Sequence, residues 1–238
     1  MFRPRLAAVP MVLLCLAALA APAAAEYGFM IGANRSTITG DSSLIFQGPD
    51  FADFEDMVAG FDSGSLGLTA GFFTVLNVNH EVNFRLEAVY NEVGGRGKYS
   101  GTVFLDGQGN TDLAGDVTLK TTYIELPVLV LFPLPGLPQH RWRGMLGMAA
   151  CFTAASELRL DTWIDGYPYS DPLPYRERVE DFTYHGIVGV EYTAFLKETP
   201  FLFGLRYEMG LRRFGTDPVG QAEDYRHRSL AATVGIVF

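Results

Sequence analysis

The sequence predicts an all-β fold, a single eight-stranded antiparallel up-and-down barrel that crosses a membrane. Three observations predict it. Period-two alternation of apolar and polar residues recurs in eight separate segments, the signature of strands with one greasy and one polar face. The connections between those segments are alternately short and long, without exception. No stretch beyond the N-terminal leader holds 18 or more apolar residues free of charge, although 48% of the 238 residues are hydrophobic, so the apolar content lies in short pieces rather than in spanning helices.

Residues 1–25 have the three parts of a cleavable secretory signal. Arg3 and Arg5 form a charged start, Met11 to Ala21 an apolar stretch, and Ala23-Ala24-Ala25 a small-residue cleavage site before Glu26. The chain then divides into a signal, 1–25, and a barrel domain, 26–238. Cys15 sits inside the apolar stretch behind Leu13 and Leu14, so lipidation is not expected. Cleavage removes two of the 18 basic residues and no acid, which takes the net charge from −9 to −11. An acidic chain with scattered Lys and Arg has no means of neutralising phosphates, and a nucleic-acid partner is excluded. Only Cys151 remains after cleavage, so no internal disulfide can form, and its neighbours from Gly147 to Phe152 supply no base; it reads as a small strand residue without a role.

The eight strands are expected at about 27–35, 65–76, 81–93, 117–132, 142–155, 182–195, 201–213 and 226–238, from alternation and from enrichment in Val, Ile, Phe, Tyr and Thr. The third is the clearest. There Val82, Phe84, Leu86, Ala88 and Tyr90 interleave with Asn83, Arg85, Glu87, Val89 and Asn91. Lipid-facing residues are then Leu66, Leu68 and Phe72; Ile124, Leu126, Val128, Val130 and Phe132; Leu146, Met148 and Phe152; Val188 and Val190; and Leu230, Val234, Ile236 and Phe238. Tyr27, Tyr90, Trp142, Tyr192, Phe201 and Phe203 fall near strand ends, where aromatic rings favour the membrane–water interface.

The connections 77–80, 133–140 and 196–200 are short, whereas 36–64, 94–116, 156–181 and 214–225 are long, polar and rich in Gly, Asp and Pro. In an up-and-down barrel this sorting puts every short turn and both termini at one end and every long loop at the other, the arrangement of outer-membrane barrels. Closure leaves no unpaired edge in hydrocarbon, and a ring of eight has a lumen filled by side chains rather than an open pore.

The inward face carries Arg85, Glu87, Glu125, Glu191, Arg206, Glu208 and Arg212. These read as a structural polar network, because each buried charge needs a partner. The expected pairs join Arg85 or Arg206 with Glu87, Glu125 or Glu208. His185 and His227 share the inward parity of Thr183 and Ser229, with Asp181 and Asp224 nearby, but no Gly-x-Ser-x-Gly elbow exists and composition alone does not make a triad. No catalytic residue is expected. The acids of the long connections show no Asp-x-Asp-x-Asp-Gly run, and His80, His140, His185 and His227 show no zinc spacing, so neither metal nor cofactor is expected.

Loops 36–64 and 156–181 mix acids with Phe46, Phe51, Phe54, Phe61, Trp163, Tyr167, Tyr169 and Tyr175. Such rings suit contact with a protein or glycan at a cell surface, or folding back over the barrel mouth. Phe51 to Phe61 is expected to form a short helix, with Phe51, Phe54 and Val58 on one side.

Several of these segments carry a resemblance. Gly28-Phe29-Met30-Ile31-Gly32-Ala33-Asn34 with Ser36, Phe84 to Tyr90, and Tyr123-Ile124-Glu125-Leu126-Pro127-Val128-Leu129-Val130 resemble strands of the PorT-like outer-membrane β-barrel family, of OmpA/OmpX-type eight-stranded architecture. Gly189-Val190-Glu191-Tyr192 and the ending from Ser229 to Phe238 fit the same pattern. The resemblance implies a Gram-negative-type outer membrane, both termini in the periplasm, and outer-membrane lipid and the barrel assembly machinery as partners. The terminal Phe238 is similar to the signal by which such proteins are recognised for assembly. A non-enzymatic structural or surface-interaction role is expected. A secretion-accessory or small transport component is the alternative, and a lipid-modifying barrel enzyme a lower one.

Overall fold

The computed structural model of the chain describes residues 25–39, 54–78, 82–105, 109–138, 141–164, 167–174, 179–211, 215–216, 222–223 and 226–238. The strands are β1 (Ala25–Thr39), β2 (Phe54–Asn77), β3 (Asn83–Leu105), β4 (Gly109–Pro133), β5 (Trp142–Ile164), β6 (Tyr167–Pro174), β7 (Phe182–Leu196), β8 (Thr199–Gly210), β9 (Gly215–Thr216), β10 (Ala222–Glu223) and β11 (Arg226–Val237). Eight of them, β1, β2, β3, β4, β5, β7, β8 and β11, pair antiparallel in that order, and β11 closes the ring against β1. The shorter β6 extends the sheet from β5, while β9 and β10 pair with each other.

Register fixes the geometry of the ring. Stepping from partner to partner, Tyr192 leads to Phe203, Val234, Ile31, Ala70, Tyr90, Ile124, Phe152 and finally Phe182. The row thus returns to β7 ten residues from where it left. Eight strands with that stagger tilt by ~40° and enclose a radius of roughly 8 Å, a bore that side chains can fill.

Parity sorts the side chains as expected. Leu66 (71% exposed) and Phe72 (67%) face outward, as do Leu68, Val128, Phe132, Leu146, Met148, Val188, Val190, Leu230, Val234 and Phe238, while Ile124, Leu126, Val130, Phe152 and Ile236 are half-buried. The short connections are tight. Leu134 to Leu137 turns through Pro135 and Gly136, the latter at φ 78, with Leu137 N–H donating to the Leu134 carbonyl at 3.3 Å, the combination a type II turn favours. Lys197, in the two-residue link between β7 and β8, sits at φ 58.

The long connections differ from expectation. Most of 54–64, 94–116 and 156–174 is strand, so β2 to β5 run for 23 to 25 residues against the ~9–11 needed to cross a membrane. The helix expected from Phe51 to Phe61 is absent where described: Phe54 to Phe61 belongs to β2, paired with β3. Phe46, Phe51 and Tyr175 lie outside the described residues. β1, β7, β8 and β11 have only 12 to 15 residues. One side of the ring therefore rises beyond the other as a fin made of β2, β3, β4, β5 and β6. Its β3–β4 ladder continues from Gly94↔Lys120 to Leu105↔Gly109, roughly 30 Å along the barrel axis at this tilt. Close backbone approach helps build it. A Cβ on Gly97 would collide with the carbonyl oxygen of Gly60 on the neighbouring strand.

Candidate functional site

The lumen is layered. Nearest the short turns, Phe73, Val75, Leu129, Leu131, Met145 and Leu202 form an apolar floor. At the other end Ile38, Val93, Tyr99, Val117, Leu119, Leu158 and Leu160 are buried at the level where the fin begins. Between these layers lies a polar belt, and six of the seven expected inward charges are in it. Arg85, Glu87, Glu125, Glu191, Arg206 and Glu208 are all buried, at 0 to 4% exposure. Arg212 lies outside the described residues.

Within the belt the charges form two tiers. In the lower one, Arg85 donates from Nη1 and Nη2 to the two oxygens of Glu191 at 2.6 and 2.8 Å. Glu87 stands 3.8 Å from the same guanidinium and accepts both terminal nitrogens of Arg206, at 2.8 and 3.3 Å. Two arginines and two glutamates thus neutralise one another, the condition under which buried charge is tolerable. The Arg85 guanidinium also lies 4.6 Å over the Phe73 ring, which ties this tier to the apolar floor. Of the expected pairs, Arg206 with Glu87 is present at 2.8 Å and Arg85 with Glu87 at 3.8 Å. The main partner of Arg85 is Glu191, because β3 and β7 face each other across the bore.

The upper tier is different in kind. Its carboxylates, Glu125 and Glu208, are bridged by Asn91, whose Nδ2 donates at 3.1 and 3.0 Å, and Asn91 in turn accepts from Asn34 at 2.8 Å. Ser229 donates to Glu208 at 3.2 Å. His185 Nδ1 is 3.2 Å from Glu125 Oε1. Tyr123 sits between the two histidines, edge-on to His185 at 5.4 Å and to His227 at 5.7 Å. Cys151 lies in the same layer, fully buried, directly opposite Glu125 in the β4–β5 ladder. Sequence reasoning did not foresee this meeting. Glu125, Cys151 and His185 come from three strands, and only register brings them together.

Of the residues weighed for hydrolysis, Thr183, His185, His227 and Ser229 are buried here too, whereas Asp181 is exposed. Ser229 donates to Glu208, and both Ser229 and His227 lie in the closed lumen. Asp181 offers its backbone carbonyl to Thr153 N–H at 3.0 Å, and Asp224 lies outside the described residues.

At the short-turn end, the Trp142 and Tyr192 rings lie tilted with centroids 4.9 Å apart, Phe203 is the cross-strand partner of Tyr192, Phe201 lies two residues along β8 from Phe203, and Tyr27 lies near the start of β1. Tyr90 stands farther up β3, seven residues from its start. Phe238 extends β11, its N–H donating to the Tyr27 carbonyl at 2.9 Å. A vestibule of about 650 Å³ opens below the polar belt and is lined by Arg85, Arg143, Glu191, Glu198 and Phe238 among others. On the fin, a concavity of about 530 Å³ is lined by Arg96, Lys98, Lys120, Arg159, Asp116 and Asp161 among others.

Three solved outer-membrane proteins align along most of the chain at low identity. Ail, the attachment invasion locus protein of Yersinia pestis solved with a heparin analogue, aligns over 90% of this chain and 99% of its own at 11% identity and TM-score 0.42. Neisserial surface protein A aligns over 89% and 97% at 13% identity and TM-score 0.39. OprG of Pseudomonas aeruginosa aligns over 89% and 95% at 13% identity and TM-score 0.36. No curated protein sequence matches the chain. The family model for the outer membrane protein beta-barrel domain matches residues 20–214. That match covers most of the ring, and the chain belongs to the outer membrane protein β-barrel family.

Proposed function

We infer that this outer-membrane barrel is a non-enzymatic surface protein, whose membrane part is a rigid plug and whose working surface is the raised external end. The observation that carries this reading is the filled lumen: two apolar layers enclose a belt of mutually bonded charges, which favours neither conduction nor turnover. The fin concavity, with Arg96, Lys98, Lys120 and Arg159 among acids, is the surface best suited to a protein or glycan partner. In this reading residues 1–25 are removed on export, both termini and the short turns face the periplasm, and Phe238 is read by the barrel assembly machinery. Two measurements test it. Purified barrel in planar bilayers should give no stable conductance, and cells displaying an Arg96→Glu, Lys98→Glu, Lys120→Glu variant should lose adhesion to glycan or protein arrays relative to wild type. Stable single-channel steps, or adhesion unchanged by charge reversal, would overturn it.

A secretion-accessory role, in line with the PorT-like segments, is the second reading. The vestibule at the short-turn end favours it, as an opening of about 650 Å³ with Arg143 and Glu198 at its rim could receive a periplasmic component. Its test is an export defect on Arg143→Glu exchange with barrel assembly intact.

A further inference from the structure

We propose that Glu125, Cys151 and His185 form a binding site for a borderline divalent metal ion, Zn²⁺ by chemistry, inside the upper tier of the lumen. One ligand atom from each of the three lies within 4.8 Å of the other two. The convergence is built into the sheet. Glu125 and Cys151 are cross-strand partners, and His185 is the partner of Ala149, two residues from Cys151 on the same inward face. All three are buried, at 0 to 2% exposure.

A second observation points to a ligand. Glu125 Oε2 is fully buried and has no hydrogen-bond partner among the described residues, although its sister oxygen accepts from Asn91. A buried carboxylate oxygen without a partner is costly, and a coordinated cation is one group that satisfies it. The thiol is equally underused, its hydrogen bond being a long one of 3.7 Å to the Ala149 carbonyl. Charge argues the same way. Among the described residues both arginines of the belt bond to Glu87 and Glu191, and the tier holding Glu125 and Glu208 has no arginine or lysine bonded to it.

The donor set selects the ion. Thiolate and imidazole are poor ligands for Ca²⁺ or Mg²⁺ and good ones for Zn²⁺ or Co²⁺, and a carboxylate completes a three-ligand site with one position left open. Bonds of ~2.0–2.3 Å place tetrahedral ligands roughly 3.3–3.8 Å apart, so the site needs to contract by about 1 Å at its widest. His185 Nδ1 and Glu125 Oε1, at 3.2 Å, are already there. On binding, the thiol gives up its proton to solvent as the sulfur–metal bond forms, the imidazole binds neutral, and thiolate plus carboxylate cancel the ion's two charges. The closed lumen implies that the ion enters while the barrel is folding rather than afterwards.

The test is to refold the full mature chain into detergent with Co²⁺, with Zn²⁺, or with chelator, using the heat-dependent gel shift to confirm folding. Wild type refolded with cobalt should show the near-ultraviolet thiolate-to-cobalt charge-transfer band at one cobalt per chain. Zinc should prevent that band when supplied first, and His185→Gln and Cys151→Ser should abolish it. Because the band is read on wild type, the outcome does not depend on either variant folding. Folded wild-type barrel with no cobalt–thiolate band and only substoichiometric zinc by mass spectrometry would overturn the proposal, as would a band that survives in folded Cys151→Ser.

Discussion

Arg85 and Glu191 form a two-pronged ion pair across the bore, 2.6 and 2.8 Å between strands that share no backbone hydrogen bonds. The planar guanidinium matches the carboxylate fork, so the pair acts as a strut between β3 and β7. Removing one end should be far worse than removing both. Arg85→Met is expected to cost ~3–5 kcal/mol in urea unfolding from lipid vesicles, because it leaves Glu191 buried without its counter-charge, whereas Arg85→Met with Glu191→Leu should regain most of the loss. Equal stability of the single and double variants would refute the strut.

A charge on the outer wall tests the membrane belt. Leu146 is 57% exposed and lies four residues above the start of β5, near the middle of a ~25 Å apolar band. Leu146→Arg should destabilise the inserted barrel by ~2–4 kcal/mol. Thr118→Arg, on the outer wall of the fin, should change stability by less than ~0.5 kcal/mol. Similar losses for both would mean that the belt does not end where the fin begins.

Lys197 holds a left-handed backbone in a two-residue hairpin link, a conformation that costs a side chain with a Cβ roughly 1–2 kcal/mol. Lys197→Gly should therefore be neutral or stabilising, by up to ~1 kcal/mol once the added freedom of the unfolded chain is subtracted. A clear fall in the urea midpoint would contradict this.

Phe238→Ala should slow assembly without weakening the finished barrel, since the ring is largely exposed and the backbone bond to Tyr27 does not need it. Heat-modifiability followed over time after a pulse of synthesis measures this. Unchanged assembly kinetics would separate Phe238 from recognition by the assembly machinery.

The strands were legible where lipid enforced alternation, and illegible where it stopped. On β4, the residues at 124, 126, 128 and 130 are apolar and outward, with Glu125 inward; nearer its start the phase inverts, Val117 and Leu119 turning inward while Thr118 and Lys120 face water. A strand that swaps its greasy face partway along loses its period-two signal, and the glycines at 94, 95, 97, 101 and 115 reinforced a loop reading of what is continuous ladder. The inward charges were legible from parity alone. Their partners were not, because Arg85 and Glu191 are 106 positions apart and only the closed ring sets which strands face each other. The meeting of Glu125, Cys151 and His185 was hidden for the same reason.

The unequal strand lengths have a directional consequence. A barrel of equal strands looks alike from every side, and a partner could approach it from any bearing. With β2 to β5 standing above β1, β7, β8 and β11, the molecule has a front and a back in the plane of the membrane. A contact made through the fin would fix the rotation of the barrel beneath it, so copies gripping an ordered ligand would be held in a common heading.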